Sequence, residues 1–404
     1  MKSRKLIAAI IAGTLITGLF VGCGSSKDDG KSGEKKTLTV WSHLTKPEID
    51  EFQKVAKEFE DKNNVNVKVL EDKGEFQALI QAAQSPDGPD IMLGYPHDNL
   101  GTFKKAGIVS EIPEGKLDES KYASKNIIDA ITIDGKKYAY PLAQETTALF
   151  YNKELVKEVP KSMEELVEDA KKVGFKYDVT DFYKAFGMIA ANGGYVYKNN
   201  NGTLDPKDIG MGNEGAIKGY TFIQDLVVKD KLIPKDINGD LAKGEFVSKK
   251  TGYYISGPWD VGTCKENGID LGIAPMPTLG GNVTPSFMGV QSGFVNEKSS
   301  NKDLAFDLLA YLSEESGKIV YEKGNRIPVT KAGLESENIK KDENLQGFIK
   351  QAEKAVPMPN IPEVQAMWTP AADNLKLLVA NKITPKECAE QIVKQIKEGI
   401  AQQK

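Results

Sequence analysis

Strand and helix patterns alternate from Thr37 onward, and this alternation limits the possible folds more than any other feature of the chain. Residues 38–41 (LTVW) are typical of a strand. Pro47 then opens a segment with apolar residues at helical spacing, and residues 65–69 (VNVKV) alternate apolar and polar as a second strand. Repeated units of this kind predict an α/β fold with helices on both faces of a sheet.

The length and composition indicate more than one lobe and argue against two classes of function. The chain has 404 residues, enough for two or three domains, and no Gly/Ser/Pro-rich linker separates them after residue 37. Lobes without a linker indicate that the chain crosses between them several times. A formal net charge of -4 argues against nucleic-acid binding. With two histidines and three cysteines, a clustered metal site is not expected.

The N-terminal 36 residues predict an exported protein tethered to a membrane. Lys2, Arg4 and Lys5 precede an apolar run over residues 6–21, as in a signal peptide. The following residues, FVGC at 20–23, resemble a bacterial lipobox, although Phe20 departs from the usual leucine. We therefore expect a signal peptide over 1–22, a lipid on Cys23 and a flexible tether over 23–36 that holds the protein at the outer face of the cell membrane. The alternative is a signal peptide with an incidental cysteine.

Two other cysteines, Cys264 and Cys388, leave two interpretations open. Cys388 lies in the apolar stripe of a C-terminal helix, where most cysteines are packed hydrophobes. A disulfide between the two is also allowed outside the cell.

Signatures of catalysis and of cofactor binding are absent or poorly placed. No GxSxG, HExxH, P-loop or CxxC motif occurs. Residues 210–215 match GxGxxG, but the polar, proline-containing segment before them favours a turn and a helix start. Tyr253 and Tyr254 raise the alternative of a ferric site. Strand neighbours point to opposite faces, so one ring is expected in the core and one outside. No cofactor or metal is expected.

Two tryptophans are placed as a ligand platform would be. Trp259 follows the turn SGP at 256–258 at the end of a strand, and Trp368 follows the rigid segment MPNIP at 358–362. Aromatic rings at such edges, with carboxylates near them, suit a sugar that presents apolar faces and hydroxyl groups. The alternative is that both rings belong to the core.

Here the sequence resembles the maltose/maltodextrin-binding proteins, the extracytoplasmic sugar receptors of ATP-binding-cassette importers. The motifs that carry the resemblance occur in the same order along the chain: GPDI at 88–91, HD at 97–98, YPLA at 140–143, YNK at 151–153, NGGY at 192–195, GPW at 257–259 and MPNIP at 358–362. The resemblance implies a two-lobed, type II periplasmic-binding-protein-like fold. It also implies a monomer that captures maltose or maltodextrins, passes them to membrane permease subunits and breaks no bond.

The resemblance also places the lobes, the hinge and the ligand residues. The lobes would be residues 37–143 with 293–338 and residues 148–287 with 339–404, and the crossings would be 144–147, 288–292 and a third near Asn338. Trp259, Trp368 and Tyr183 would stack on glucose rings. Asp98, Glu145, Lys46 and Asp181 would bind hydroxyl groups. Asp98 and Asp181 have the alternative of capping turns or helices, and Lys46 of being solvated.

Several positions depart from the family pattern and leave the ligand open. Asn99 stands where the family has an arginine, Thr45 replaces an aspartate, and Ala372 replaces a second arginine. Tyr95 is the expected replacement for an aromatic platform just upstream of His97. One alternative function is therefore the same fold with another oligosaccharide. The other is a surface glycoside hydrolase that uses two of Asp98, Glu145 and Asp181.

Overall fold

The computed structural model describes residues 35–72, 76–200 and 203–403. The predicted signal peptide, Cys23 and the tether up to residue 34 lie outside these residues. Within the described ranges, every helix is too short or too polar to cross a bilayer.

Strands and helices alternate along the chain as the sequence predicts. The strands are β1 (Thr37–Ser42), β2 (Asn66–Glu71), β3 (Ile91–Pro96), β4 (Thr132–Ile133), β5 (Lys136–Lys137), β6 (Tyr140–Thr146), β7 (Ala148–Asn152), β8 (Phe175–Lys176), β9 (Tyr197–Asn200), β10 (Thr203–Ile209), β11 (Tyr253–Ser256), β12 (Leu271–Ala274), β13 (Phe287–Val295), β14 (Ile327–Pro328) and β15 (Val356–Pro357). The helices are α1 (Lys46–Asn63), α2 (Phe76–Ala83), α3 (Leu100–Ala106), α4 (Lys125–Ala130), α5 (Met163–Val173), α6 (Phe182–Ala190), α7 (Glu214–Val228), α8 (Gly239–Val247), α9 (Val261–Glu266), α10 (Lys302–Glu322), α11 (Lys331–Leu334), α12 (Glu337–Lys341), α13 (Glu343–Ala352), α14 (Gln365–Val379) and α15 (Pro385–Gln402).

The larger sheet has the strand order β14-β6-β13-β3-β1-β2, and β15 pairs with β13. β1 is parallel to β2 and β3, while β13 is antiparallel to β3 and β6. Leu38 and Ile91 belong to a buried cluster with α1 and α10, whereas Met92 belongs to another with α2, α3 and α4. Both faces of this sheet are therefore covered by helices, as predicted.

The smaller sheet has the order β12-β7-β11-β8 and lies in a separate core. Tyr253 and Tyr254 on β11 point to opposite faces, but both are buried, at 0% and 1% exposure. The expectation that one ring lies outside was wrong because helices cover both faces of this sheet too. The hydroxyls bind Asp169 (2.7 Å) and Asp260 (2.7 Å) respectively.

The chain passes between the two sheets at three places before it reaches β15, which pairs with β13 of the larger sheet. Thr147 alone separates β6 of the larger sheet from β7 of the smaller one. The segment between β12 and β13 makes the second passage. The third follows β14 and leads to α13, which packs on β12.

Local signals in the sequence account for several element boundaries. Thr45 and Glu48 form a capping box at the start of α1, with Pro47 in its first turn. The GxGxxG segment is a 3-10 turn followed by α7, whose first turn is capped by Asn213 (Oδ1 to the Ala216 N–H, 2.8 Å). The predicted turn and helix start is confirmed.

Both remaining cysteines are buried free thiols, Cys264 on α9 and Cys388 on α15. Burial raises the pKa of each to about 12, so both behave as packed hydrophobes.

Candidate functional site

A cleft between the two sheets brings together seven of the eight residues that the resemblance assigns to the ligand. It encloses about 440 Å³, within the range of about 300–1,000 Å³ typical of small-molecule sites. It is lined by His43, Asp72, Phe76, Leu79, Tyr95, Pro96, Asp98, Asn99, Glu145, Asp181, Tyr183, Trp259, Met358 and Trp368. Lys46 does not line it.

Three half-buried aromatic rings, from Tyr183, Trp259 and Trp368, line the smaller-sheet side of the cleft. The centroids of Tyr183 and Trp259 are 6.2 Å apart, and Trp368 packs edge-on against Phe182 at 5.9 Å. The ring of Trp259 lies over Gly257, where an added Cβ would come within 2.2 Å of it. The glycine thus provides the space in which this ring is held. Such rings offer flat apolar surfaces to a ligand.

Tyr95 lines the cleft, but its ring is only 3% exposed. Its hydroxyl donates to Asp72 Oδ2 at 2.8 Å, and the imidazole of His43 stacks on it with centroids 5.2 Å apart. The side chain of His43 is 56% exposed. The accessible ring at this end of the cleft is therefore that of His43, with Phe76 nearby.

Sequence reasoning missed His43, Asp72 and Phe76. His43 stands two residues after Trp41, in the loop that leaves β1. The carboxyl end of a parallel strand is a common place for ligand residues, so that position was the available signal. Asp72 likewise directly follows the carboxyl end of β2.

Asp98 lies in the 3-10 turn that follows β3 and is 6% exposed. Burial raises the pKa of its carboxyl from 3.8 to about 7, although its own amide, the Trp368 indole and the Asn99 amide oppose the shift. The side chain of Asn99 donates to the carbonyl of Pro96 at 3.0 Å. Asn99 thus serves the local turn, at the position where the resemblance implies a guanidinium.

His97, next to Asp98, is fully buried and joins three segments. The Val290 N–H donates to Nδ1 (3.0 Å), so the ring proton is on Nε2, which donates to the carbonyl of Met358 (3.0 Å). Burial lowers the pKa of His97 to about 4, so this ring is neutral at physiological pH.

Glu145 on β6 is oriented by two donors. Gln291 Nε2 donates to its Oε1 at 2.6 Å, and the guanidinium of Arg326 donates to its Oε2. The hydroxyl of Tyr183 and the Oε1 atom of Gln291 are buried and have no hydrogen-bond partner among the described residues. Gln291 does not line the cleft, whereas Tyr183 does, and an unpartnered hydroxyl of this kind favours a polar ligand that supplies the missing bond.

Asp181 lines the cleft but also caps α6. One oxygen accepts from the Tyr183 N–H (3.0 Å), and the other from Lys184 Nζ (2.6 Å). The ammonium of Lys46 is exposed and pairs with Asp50 one turn along α1. These contacts agree with the alternatives given by the sequence, in which Asp181 caps a helix and Lys46 is solvated. Within the described part of the chain, no cluster of three or more acidic, His or Cys side chains is arranged for a metal ion.

Residues 54–347 match the family model of the bacterial extracellular solute-binding proteins. The chain belongs to this family. The solute-binding protein is 33% identical to the galactooligosaccharide-binding protein of Bacillus subtilis (strain 168), over 97% of this chain and 96% of the relative. It is 32% identical to the maltodextrin-binding protein MdxE of the same strain, over 98% of each chain.

Solved structures show the same fold. The maltose-maltodextrin binding protein of Alicyclobacillus acidocaldarius superposes with a TM-score of 0.86 at 35% identity, over 90% of this chain and 100% of the other. The Thermus thermophilus maltotriose binding protein gives 0.81 at 31% identity, over 90% and 100%. The expectation of a two-lobed fold is confirmed. The protein is a solute-binding receptor and not an enzyme, which excludes the hydrolase alternative.

Proposed function

We propose that this receptor captures maltodextrins outside the cytoplasm and delivers them to an ATP-binding-cassette importer. The observation that carries the proposal is the row of half-buried rings, Tyr183, Trp259 and Trp368, in one cleft with the Asp98 and Glu145 carboxylates. Stacked rings accept the apolar faces of glucose units, and carboxylates accept hydrogen bonds from the hydroxyls between those faces. Solved relatives with 31% and 35% identity bind maltotriose and maltose-maltodextrin, by their descriptions.

Capture proceeds by closure of the cleft. Asp98 and Glu145 follow or belong to strands of the larger sheet, whereas Tyr183 and Trp368 pack against the core of the smaller sheet and Trp259 lies in the turn that follows β11 of that sheet. A sugar that contacts both sides stabilises the closed form, which shifts the population toward it. We assign the hinge to residues 144–147 and 288–292, with lobes formed by 37–143 with 293–338 and by 148–287 with 339–404. The permease would then recognise the closed form.

The N-terminal sequence and the family support a location and partners for the receptor. The chain belongs to an extracellular family. A relative from Streptococcus pneumoniae (strain ATCC BAA-334 / TIGR4), 31% identical over 100% of this chain and 99% of the relative, is described as a solute-binding lipoprotein. We infer that Cys23 carries the lipid, that residues 23–36 form the tether, and that the receptor works as a monomer beside permease subunits.

A second candidate ligand is a galactooligosaccharide. The galactooligosaccharide-binding relative matches this chain at 33% identity, about the same as the maltodextrin-binding one. The departure from the maltodextrin pattern at Asn99, together with the position of His43, affects the polar and outer parts of the cleft and leaves the three rings in place. Both candidates require the same rings and differ in the hydroxyl pattern that they present.

Calorimetric titration of residues 37–404 with a panel of sugars tests the proposal. These residues contain both cores, and residues 36–404 form one compact unit. The panel consists of maltose, maltotriose, maltotetraose and β-galactooligosaccharides, with sucrose as the control. Saturable binding of the maltooligosaccharides, with the sugar recovered intact by chromatography, is expected. Binding restricted to the galactosides would replace the first candidate by the second, and shortened products would contradict a receptor.

A further inference from the structure

Arg326 is the one arginine among the described residues, whereas every other basic residue there apart from histidine is a lysine. It is 5% exposed and directly precedes β14. An arginine buried in a chain that otherwise uses lysine marks a position where the fixed fork of the guanidinium is needed.

The guanidinium joins two buried carboxylates. Nε donates to Glu48 Oε1 at 3.0 Å, and Nη1 donates to Glu145 Oε2. The second oxygen of Glu48 accepts from the Thr45 N–H (2.9 Å) and hydroxyl (2.6 Å). The second oxygen of Glu145 accepts from Gln291 (2.6 Å). All oxygens of the two carboxylates are thus held by protein donors.

These contacts connect segments next to the passages between the sheets. Glu145 lies near the end of β6, two residues before the first passage, and Gln291 lies on β13, which follows the second. Arg326 precedes β14 and the third. Buried ion pairs cost desolvation and contribute little net stability, so a role in positioning explains this cluster better than a role in stability.

We propose that Arg326 is a positioning residue of the ligand cleft, which holds the Glu145 carboxylate in the orientation that accepts a sugar hydroxyl. The inference rests on the proposed sugar-binding function. Lysine does not replace it, because a single ammonium lacks the two separated donors that reach both Glu48 and Glu145. Arg326 itself does not line the cleft.

A double-mutant cycle tests this role by calorimetry with maltotriose on residues 37–404. The proteins are the wild type, Arg326→Lys, Glu145→Gln and the double variant. Arg326→Lys is expected to weaken maltotriose binding about tenfold or more, as expected for a lost hydrogen bond to a charged group. In the Glu145→Gln background the same change is expected to alter affinity less than about twofold, because no oriented carboxylate is left to lose.

A matched control separates positioning from loss of stability. Val320→Ala removes buried side-chain volume from α10, whose Val320 carbonyl accepts the Arg326 N–H (2.9 Å), and it lies outside the cleft. It is expected to lower the melting temperature and leave affinity unchanged. The cycle is repeated with Arg326→Gln, so that a folding defect of one substitution does not decide the result.

The outcomes are distinct. Coupling between positions 326 and 145 supports the proposal. Equal effects of Arg326→Lys in both backgrounds, or an effect on melting temperature alone, would overturn it while the sugar-binding function stands. A folded wild-type protein that binds no sugar of the panel would overturn both.

Discussion

The ionised carboxyl of Asp98 is expected to lower the free energy of unfolding of the empty protein and to strengthen ligand binding. The fold raises its pKa from 3.8 to about 7 by burial. Below pH 3.8 the carboxyl is protonated in both the folded and the unfolded chain, and its contribution to stability is complete. As the pH rises toward 7 the unfolded chain releases the proton and the folded chain keeps it, so this contribution is lost. At about 1.4 kcal/mol per pKa unit, the ionised carboxyl costs the empty fold about 4 kcal/mol above pH 7.

Asp98→Asn therefore raises the free energy of unfolding at pH 8, by up to about 4 kcal/mol, and changes it little at pH 4. Sugar hydroxyls that donate to the carboxylate favour its ionised form, so binding to the wild type releases a proton. Wild-type affinity for the bound sugar should then fall about tenfold from pH 8 to pH 6. The Asn variant should bind more weakly at pH 8 and show a flat profile over this interval.

Urea unfolding at pH 4 and 8 and calorimetry at pH 6 and 8 measure these effects. Titrations in buffers of different ionisation enthalpy count the released proton directly. Asp61→Asn, which changes an exposed carboxyl on α1, is the control and should move neither quantity. Equal stability of the wild type and Asp98→Asn at pH 8 would refute the burial argument. A wild-type affinity that does not change between pH 6 and 8 would refute the role of the ionised form.

Three further predictions concern neighbouring residues. In the Asp98→Asn background, His97 by itself should account for a loss of about 3 kcal/mol of stability when the pH is lowered from 7 to 4, because it gains a proton below pH 6.5 in the unfolded chain and only below about 4 in the fold. Urea titrations should show that His97→Gln removes this part of the loss. An unchanged pH dependence of the free energy of unfolding would contradict the prediction. Gly257→Ala should displace the Trp259 ring and weaken sugar binding about tenfold, whereas the nearby Gly262→Ala, where the added Cβ meets open space, should not. Trp259→Ala should weaken binding by at least as much with little change in melting temperature, since its ring is only half-buried. Calorimetry and thermal unfolding check both, and wild-type affinity in either variant would contradict the platform assignment.

Much of the fold follows from local patterns because those patterns have local causes. The capping box at Thr45 and the alternation over residues 66–69 lie within one turn or one strand. The order and spacing of short motifs supported the resemblance to sugar receptors. That resemblance assigned Tyr183, Trp259 and Trp368 to the ligand. The error at Tyr253 and Tyr254 had a tertiary cause, since only the packing of helices on the smaller sheet shows that both faces are covered.

Local patterns also did not predict which aromatic ring is accessible at the outer end of the cleft. Tyr95 was the expected replacement because it is an aromatic residue just upstream of His97, where the resemblance implies an aromatic platform. Its hydroxyl is bound to Asp72, 23 residues away, and its face is covered by His43. No local pattern indicates which of two rings from separate strands lies on top.

The sequence by itself determined the α/β class and the alternation of elements, because each depends on neighbours along the chain. The resemblance supplied the three ring positions, and export and the tether stay predictions from the N-terminal sequence. Only the tertiary structure decided the electrostatics of the cleft. Arg326 reaches Glu48 over a separation of 278 residues and Glu145 over 181. The pKa values of Asp98 and His97 are set by burial, which is a property of the assembled fold.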